Sequence, residues 1–162
     1  MAFLPEEFVV PTLVAGPRFQ IRPVTIHDVV RVYDAVMCSR AELWATYGEV
    51  VGWPAADYAL EDCLVDVAWQ QKEAQLRGSF SYAVLTTDET RLLGLIYLRP
   101  PVKLGADAMI AFWVRTGVEL PGLERELLDF VREWAVTAWP FKKVHLPGRE
   151  IPCDEWAALP PV

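Results

Sequence analysis

A-M-I-A-F-W-V-R-T-G-V-E-L-P-G-L-E-R-E-L-L, residues 108–128, is the stretch whose reading decides the fold. It opens with an unbroken apolar run that closes at Arg115, the pattern of a strand buried on both faces. Residues 116–122 carry two glycines and a proline and read as a loop. From Leu123 the apolar positions recur at steps of three and four, through Leu127, Leu128, Val131, Trp134, Ala135 and Ala138. That spacing predicts an amphipathic helix, stopped before Pro140. Residues 142–146 then form a short strand. Strand, helix and strand in this order imply a right-handed crossover with the two strands parallel.

Upstream, residues 80–84 alternate in the strand period and 92–98 return as a nearly all-apolar strand. The polar turn 87–90 between them makes an antiparallel hairpin. Residues 19–24 alternate in the same way. Thr25 and Asp28 have the spacing of a capping box, and Ile26, Val29, Val30, Tyr33, Val36 and Met37 follow at helical spacing. Ser39 and Glu42 repeat the capping pattern before a short helix with Leu43, Trp44 and Tyr47, expected to end near Gly48. A longer helix is expected over 57–77, with Leu60, Leu64, Val67 and Ala68 inward and Gly78 at its C′ position. Residues 1–18, with three prolines and several large apolar side chains, read as an extended arm lying on the domain. The chain is thus expected to hold an arm (1–18), one α/β domain (19–147) and an irregular tail packed on it (148–162), its mixed, mostly antiparallel sheet flanked by helices.

Composition narrows the function. The 162 residues suffice for one domain with a core that needs no staples. Fifteen basic residues against 22 acidic ones leave a formal charge of −7, and the densest basic cluster is Lys142–Lys143. Phosphate-rich partners call for the opposite sign, so nucleic acid and anionic membranes are not expected partners. No stretch has the length of a membrane span, and the first residues lack the pattern of a signal peptide; a cytoplasmic protein is expected. Cys38, Cys63 and Cys153 lack metal spacing, and no metal is expected. Cys38 and Cys63 sit among apolar residues and read as core. The P-loop, HExxH and GxGxxG patterns are all missing.

The element order resembles the core of the GNAT (GCN5-related N-acetyltransferase) superfamily over about residues 19–147. F-Q-I-R-P-V-T-I-H-D (19–28) is similar to its opening strand and helix, and S-Y-A-V-L (81–85) and L-L-G-L-I-Y (92–97) to its next strands. The resemblance implies an acyl-CoA N-acyltransferase fold. It implies acetyl-CoA, or another acyl-CoA, as co-substrate, with its thioester along Phe112, Trp113 and Val114. The pyrophosphate would lie on the loop and helix start at Arg115, Thr116, Gly117, Gly122 and Leu123, because glycine lets backbone approach phosphate and a helix N-terminus carries partial positive charge. The acceptor implied is the amine of a small molecule.

Two departures accompany the resemblance. The family's Gln/Arg-x-x-Gly-x-Gly/Ala loop corresponds to E-L-P-G-L-E (119–124), in which Gly122 alone fits. Glu119 and Glu124 would repel a pyrophosphate by about 1 kcal/mol each after screening, with Arg115 and Arg125 available to offset them. They equally suit the first turn of a helix. The family's C-terminal hairpin is also missing, so the tail, anchored by Trp156, or a second subunit in a homodimer is expected to cover the sheet end. Candidate catalytic residues are Glu42 and Tyr47 beside the acceptor pocket and His145 on the last strand, whose neutral imidazole suits a base near neutral pH. Each also has a structural reading, Glu42 as a cap and His145 as a hydrogen-bonded strand residue. Trp44 and Trp53 could line the pocket. The alternative function is a GNAT-like module that binds a ligand or protein and performs no chemistry.

Overall fold

The computed structural model describes residues 3–162. Its six-stranded sheet runs in chain order: β1 (Val14–Ala15), β2 (Gln20–Pro23), β3 (Phe80–Leu85), β4 (Leu92–Arg99), β5 (Ala108–Val114) and β6 (Val144–His145). All neighbours are antiparallel except β5 and β6, which are parallel. A 3-10 turn (Ile26–Asp28) leads into α1 (Val29–Cys38), followed by α2 (Arg40–Val51) and α3 (Leu60–Gln75). Then α4 (Leu123–Thr137) joins β5 to β6, and α5 (Cys153–Ala158) lies in the tail. This is the mixed, mostly antiparallel sheet flanked by helices that the sequence predicts.

Each face of the sheet carries its own core. On one, Val32, Ala35, Val36, Leu43, Cys63 and Val67 of the first three helices meet Ala83, Leu85, Leu95 and Trp113. On the other, Leu123, Leu127, Val131 and Trp134 of α4 meet Ile96, Ile110 and Phe112. The two faces of β3, β4 and β5 are thus divided between two apolar layers, which explains why β4 and β5 read as continuous apolar runs. A bulge near Leu93 interrupts the β3–β4 ladder, where Val84 faces Gly94 and Leu85 faces Leu92. A Cβ on Gly94 would lie 2.0 Å from the Trp113 carbonyl oxygen, so only glycine allows this approach of β4 to β5. Bulges increase twist, and this one lies opposite Val114, where β5 enters its loop.

Several local expectations meet tertiary competition. Ser39 does not cap α2: its hydroxyl accepts the Thr116 N–H at 2.9 Å. Gly48 lies buried inside α2 beneath Trp44, and the helix ends at Gly52 in the left-handed region (φ 67°). The left-handed residue after α3 is Arg77 (φ 58°) instead of Gly78; its guanidinium donates to the carbonyls of Pro5 (2.8 Å) and Phe8 (3.0 Å) and ties the arm to the helix end. The arm also supplies β1, and Tyr82 donates to the Pro11 carbonyl at 2.7 Å. Cys38 is exposed, unlike the core residue expected, and the tryptophans are divided: Trp113, Trp134 and Trp139 are buried, whereas Trp44 and Trp69 are 49% and 61% exposed.

The tail is more regular than its prolines imply. It carries the single turn-and-a-half of α5 and then runs antiparallel to the β4–β5 loop through a Lys103–Pro161 bridge. Lys103 Nζ donates to the carbonyls of Ala157 (2.6 Å) and Leu159 (2.9 Å) and lies 5.8 Å from the Trp156 ring. Trp156 itself is only half-buried. Its replacement by Ala is expected to lower stability by about 1–2 kcal/mol, in proportion to the area it covers. Urea denaturation measures this, and an unchanged midpoint would assign the anchor to Lys103 alone.

The start of the helical layer rests on one carboxylate. Asp28 is 1% exposed, accepts both arms of Arg22 (2.8 and 2.7 Å) and the Thr25 N–H (2.9 Å), and thereby completes the capping box. Burial pushes its carboxyl up, but the Arg22 fork and the Thr25 amide outweigh that and hold it below the ordinary aspartate range. A depressed carboxyl contributes stability above its unfolded value near ~4 and loses that contribution as the pH falls through the lower folded value. Asp28→Asn is expected to cost about 2–3 kcal/mol at neutral pH, by leaving Arg22 half-paired. It should also flatten the loss of stability below about pH 4. An acid limb equally steep in both proteins would locate the responsible group elsewhere.

Candidate active site

The parallel ladder between β5 and β6 is two residue pairs long: Ala108 with Val144 and Met109 with His145. Beyond them the strands part. Arg115 N–H donates to the Leu93 carbonyl at 2.8 Å, which sets the parity of the β4–β5 ladder. Ala111 and Trp113 therefore turn their backbone groups toward β4, and Phe112 and Val114 turn theirs to the opposite edge. That edge has no strand beside it at Phe112 and Val114; the interval between it and the chain that follows β6, the slot, is crossed by the Arg149 side chain.

The slot leads to the loop 115–122 and the first turn of α4. Gly117 and Gly122 both lie in the left-handed region (φ 77° and 76°), with open space where a Cβ would project. Gly122 is the N-cap of α4 and no side chain caps it. Among the described residues, the amides of Gly117, Val118, Glu119 and Gly122 find no backbone acceptor. The loop's first half is fastened at the α1–α2 junction. Thr116 donates its N–H to Ser39 Oγ (2.9 Å) and its hydroxyl to the Cys38 carbonyl (2.7 Å), and the Arg115 guanidinium bonds Asp34 (2.9 Å) and Cys38 Sγ (3.1 Å). The loop thus presents unpaired N–H groups and a helix N-terminus, as an anion requires.

The charges at the loop differ from the sequence expectation. Arg115 is engaged with Asp34, and Arg125 pairs with Asp129 at 3.5 Å, so neither offsets the loop glutamates. Glu119 is exposed. Glu124 is paired by a residue that sequence reasoning passed over, Arg149 of the turn after β6. Its Nη1 donates to Glu124 Oε1 at 2.9 Å and its Nη2 to the Phe112 carbonyl at 3.1 Å, with the guanidinium 3.6 Å from the centre of the Phe112 ring.

On the α1–α3 face an aromatic group flanks β5. Trp53 packs on Tyr47 (5.9 Å), Tyr58 (6.1 Å) and Trp113 (6.3 Å), and Trp113 Nε1 donates to the Tyr97 hydroxyl at 3.0 Å. Tyr58 donates to Asp66 at 2.8 Å. Burial pushes the Tyr47 phenol up, opposed by the nearby cations Arg149 and Arg99, so it stays protonated at neutral pH. Burial also pushes the Asp66 carboxyl up.

The structure therefore brings together Tyr47, Trp113 and Trp53 on one side of β5, and Phe112, Val114, Gly117 and Gly122 along its free edge and loop. Arg115 and Thr116 brace the loop, and Leu123 is buried under α4. Glu42 and His145 stand apart. Glu42 is exposed on α2, a third of a turn or more from the Tyr47 side. His145 is buried, and its Nε2 points at Gly105 of the β4–β5 loop. Trp44 lines a separate cavity of about 240 Å³ with Arg40, Pro54 and Ala56. A cavity of about 490 Å³ between the arm and β3, lined by Val10, Thr25, Gln71 and Tyr82 among others, shares no residue with the slot. Among the described residues no cluster of metal-ligating side chains occurs and no helix is long and apolar enough to cross a membrane.

A family model described as an acetyltransferase (GNAT) domain matches residues 18–156. Among solved structures, the ribosomal-protein-S5-alanine acetyltransferase from Vibrio fischeri superposes with a TM-score of 0.59 at 14% identity, over 79% of this chain and 69% of that one. RimL, the ribosomal L7/L12 α-N-protein acetyltransferase, solved with coenzyme A, gives 0.57 at 13% identity, over 76% and 67%. The microcin C7 self-immunity acetyltransferase MccE, solved with acetyl-CoA and AMP, gives 0.55 at 10% identity, over 76% and 66%. No curated protein matches. At such identities the likeness to the solved structures speaks for the fold.

The Ser39–Thr116 bond is the loop's link to the helical layer, so Ser39→Ala is expected to cost about 1 kcal/mol and to free the Thr116 amide. Hydrogen exchange at Thr116 should accelerate roughly in step with that energy. An amide that stays protected in the Ala variant would show that the backbone alone holds the loop.

Proposed function

The chain belongs to the GNAT acetyltransferase family, and from that premise we propose that it is an N-acyltransferase that moves an acetyl or related acyl group from acyl-coenzyme A to the amine of a small molecule. One observation carries the reading: the edge of β5 at Phe112 and Val114, which no strand pairs, runs directly into a glycine-turned loop of free N–H groups at the start of α4. An amide-bearing arm with a pyrophosphate at its far end asks for such a sequence of groups. The residues fit in this respect, with the edge of Phe112 and Val114 facing the arm and Gly117 and Gly122 facing the pyrophosphate. Arg115, Thr116 and Leu123 hold the loop in shape, and Trp113 fixes β5 from behind.

Chemistry would require an amine to attack the thioester carbonyl, forming a C–N bond and releasing the thiolate, which takes up a proton. Of the three candidates, Tyr47 has the surroundings for a role at the slot. Its phenol is protonated, so it acts as a donor toward the leaving group and not as a base. Aromatic faces beside a half-buried carboxylate suit an ammonium group or its neutral amine, and Trp53, Tyr58 and Asp66 supply both. Neither Glu42 nor His145 reaches this group, and we assign deprotonation of the amine to water.

Calorimetric titration with acetyl-CoA tests the reading first, and no heat and no thermal shift at millimolar ligand would sink it. Thiol release from acetyl-CoA is then followed over a panel of small amines and N-terminal peptides; turnover with peptides alone would replace the small-molecule acceptor by a protein one. Tyr47→Phe is expected to lower kcat by about 10–100-fold with little change in acetyl-CoA affinity. The second reading, a module that performs no chemistry, has one observation in its favour: Arg149 occupies the Phe112 carbonyl. Replacing Glu119 by Gln and Glu124 by Gly decides it, since a slot that still fails to bind without those charges is closed for another reason.

A further inference from the structure

The family loop calls for a cation or amide at its first position, and here Glu119 stands there. Arg149 comes to the same region from the opposite direction. The turn that carries it is held by four short-range bonds: Gly148 N–H to the Ile151 carbonyl (2.8 Å), and the N–H groups of Arg149 (3.1 Å), Glu150 (3.0 Å) and Ile151 (3.5 Å) to the Leu146 carbonyl. Gly148, at φ 79°, turns the chain back toward β5, and Arg132 of α4 pairs with Glu150 to pin the turn against that helix. The Arg149 side chain is 22% exposed and spans the slot from the Phe112 carbonyl to Glu124 in the first turn of α4. Its position is therefore where the free edge of β5 meets the helix N-terminus.

We propose that Arg149 is the phosphate-binding residue of this slot, with Glu124 and the Phe112 carbonyl as its resting partners. The proposal rests on the acyl-CoA reading and adds to it what selects the carrier. A guanidinium on an exposed carboxylate exchanges readily for a phosphate, which accepts the same fork and carries more charge. Glu124 is 65% exposed and its pairing is screened, so it gives way easily. When Arg149 turns to a phosphate, the Phe112 carbonyl is released to accept from an amide of the incoming arm. A thioester without phosphate offers Arg149 nothing in exchange and must compete with it for the β5 edge. The slot then discriminates between phosphorylated and unphosphorylated acyl carriers through one side chain, and the glutamate that departs from the family pattern is the arginine's counterion in the free protein.

The test uses two ligands that differ in their phosphates, acetyl-CoA and S-acetylpantetheine, titrated calorimetrically into the full chain. Removing Arg149 alone would also unpair Glu124, so Arg149→Ala is made in the Glu124→Gln background and compared with Glu124→Gln itself. Acetyl-CoA is expected to bind about tenfold more weakly without the arginine, the loss of a charge-assisted fork. S-acetylpantetheine should bind more tightly, because the Phe112 carbonyl is clear. Opposite signs for the two ligands support the proposal. Tighter binding of both would make Arg149 a mere obstruction, and equal weakening of both would make it a support for the turn; either overturns it. Failure of every variant to bind either ligand overturns the acyl-CoA reading and this proposal together, whereas binding of acetyl-CoA with no dependence on Arg149 overturns the proposal alone. Arg149→Lys guards against a collapsed turn: it keeps a cation without the fork and is expected to retain part of the acetyl-CoA affinity, and a Lys variant no better than Ala counts against phosphate contact.

Discussion

Everything distinctive about this molecule follows from how soon β5 and β6 part. Two residue pairs hold them together, anchored from outside the ladder by Asp107, which accepts the amides of Lys142 (2.7 Å) and Lys143 (3.0 Å) and returns its own N–H to the Lys143 carbonyl (2.8 Å). A longer ladder would pair the backbone of Phe112 and Val114 and leave no slot; a missing one would leave α4 without a fixed exit. Backbone N–H and C=O groups left without partners inside a protein are costly, so an edge exposed in this way needs a use or a cover. Here the Arg149 side chain provides the cover at the Phe112 carbonyl.

The rest of the fold serves to place that edge. β5 is gripped on its other side by six register pairs with β4, from Gly94–Val114 to Arg99–Met109, and is sandwiched between the two cores. Its loop is held by the α1–α2 junction and by Arg18, which donates to the Pro121 carbonyl (3.0 Å) and pairs with Glu126 in α4 (2.6 Å). The capping box at Thr25–Asp28, reinforced by Arg22, aims α1 across the sheet so that its C-terminal end meets Thr116. The free edge is thus held from behind and from both ends, and on its remaining side it meets Arg149 of the chain that follows β6.

What was legible in the sequence was what periodicity encodes. The strands at 80–85, 92–99 and 108–114 and the helix from Leu123 announce themselves by spacing, and their order gave the family. Choices between competing partners were not legible. Ser39 has the neighbours of a helix cap, but a hydroxyl accepts whichever N–H tertiary packing delivers, and that was Thr116. Cys38 sits in an apolar sequence context yet at the exposed last position of α1, where Arg115 meets it. Val14–Ala15 could not be seen as a strand because two residues bounded by Gly16 and Pro17 have no period. At the site, the residues of β5 and the loop came from the family pattern, whereas Arg149 carries no local signal. It lies 25 positions from Glu124, and only the turn at Gly148 brings the two together.

The loop glutamates show why charge read position by position misleads. Glu124 and Glu126 in the first turn of α4 complement the helix dipole, a term that operates with or without a ligand. Their effect on an anionic ligand depends instead on where the compensating cations are, and those come from distant segments: Arg18 from before β2 for Glu126, and Arg149 from after β6 for Glu124. Arg115 and Arg125, the cations nearest in sequence, are tied to Asp34 and Asp129. In a chain of net charge −7 the two carboxylates in the first turn of α4 are therefore neutralised locally, because each is matched through the fold and not through its sequence neighbours. Glu119, without such a match and pointing to solvent, is screened by water at the rim, where its repulsion is weakest.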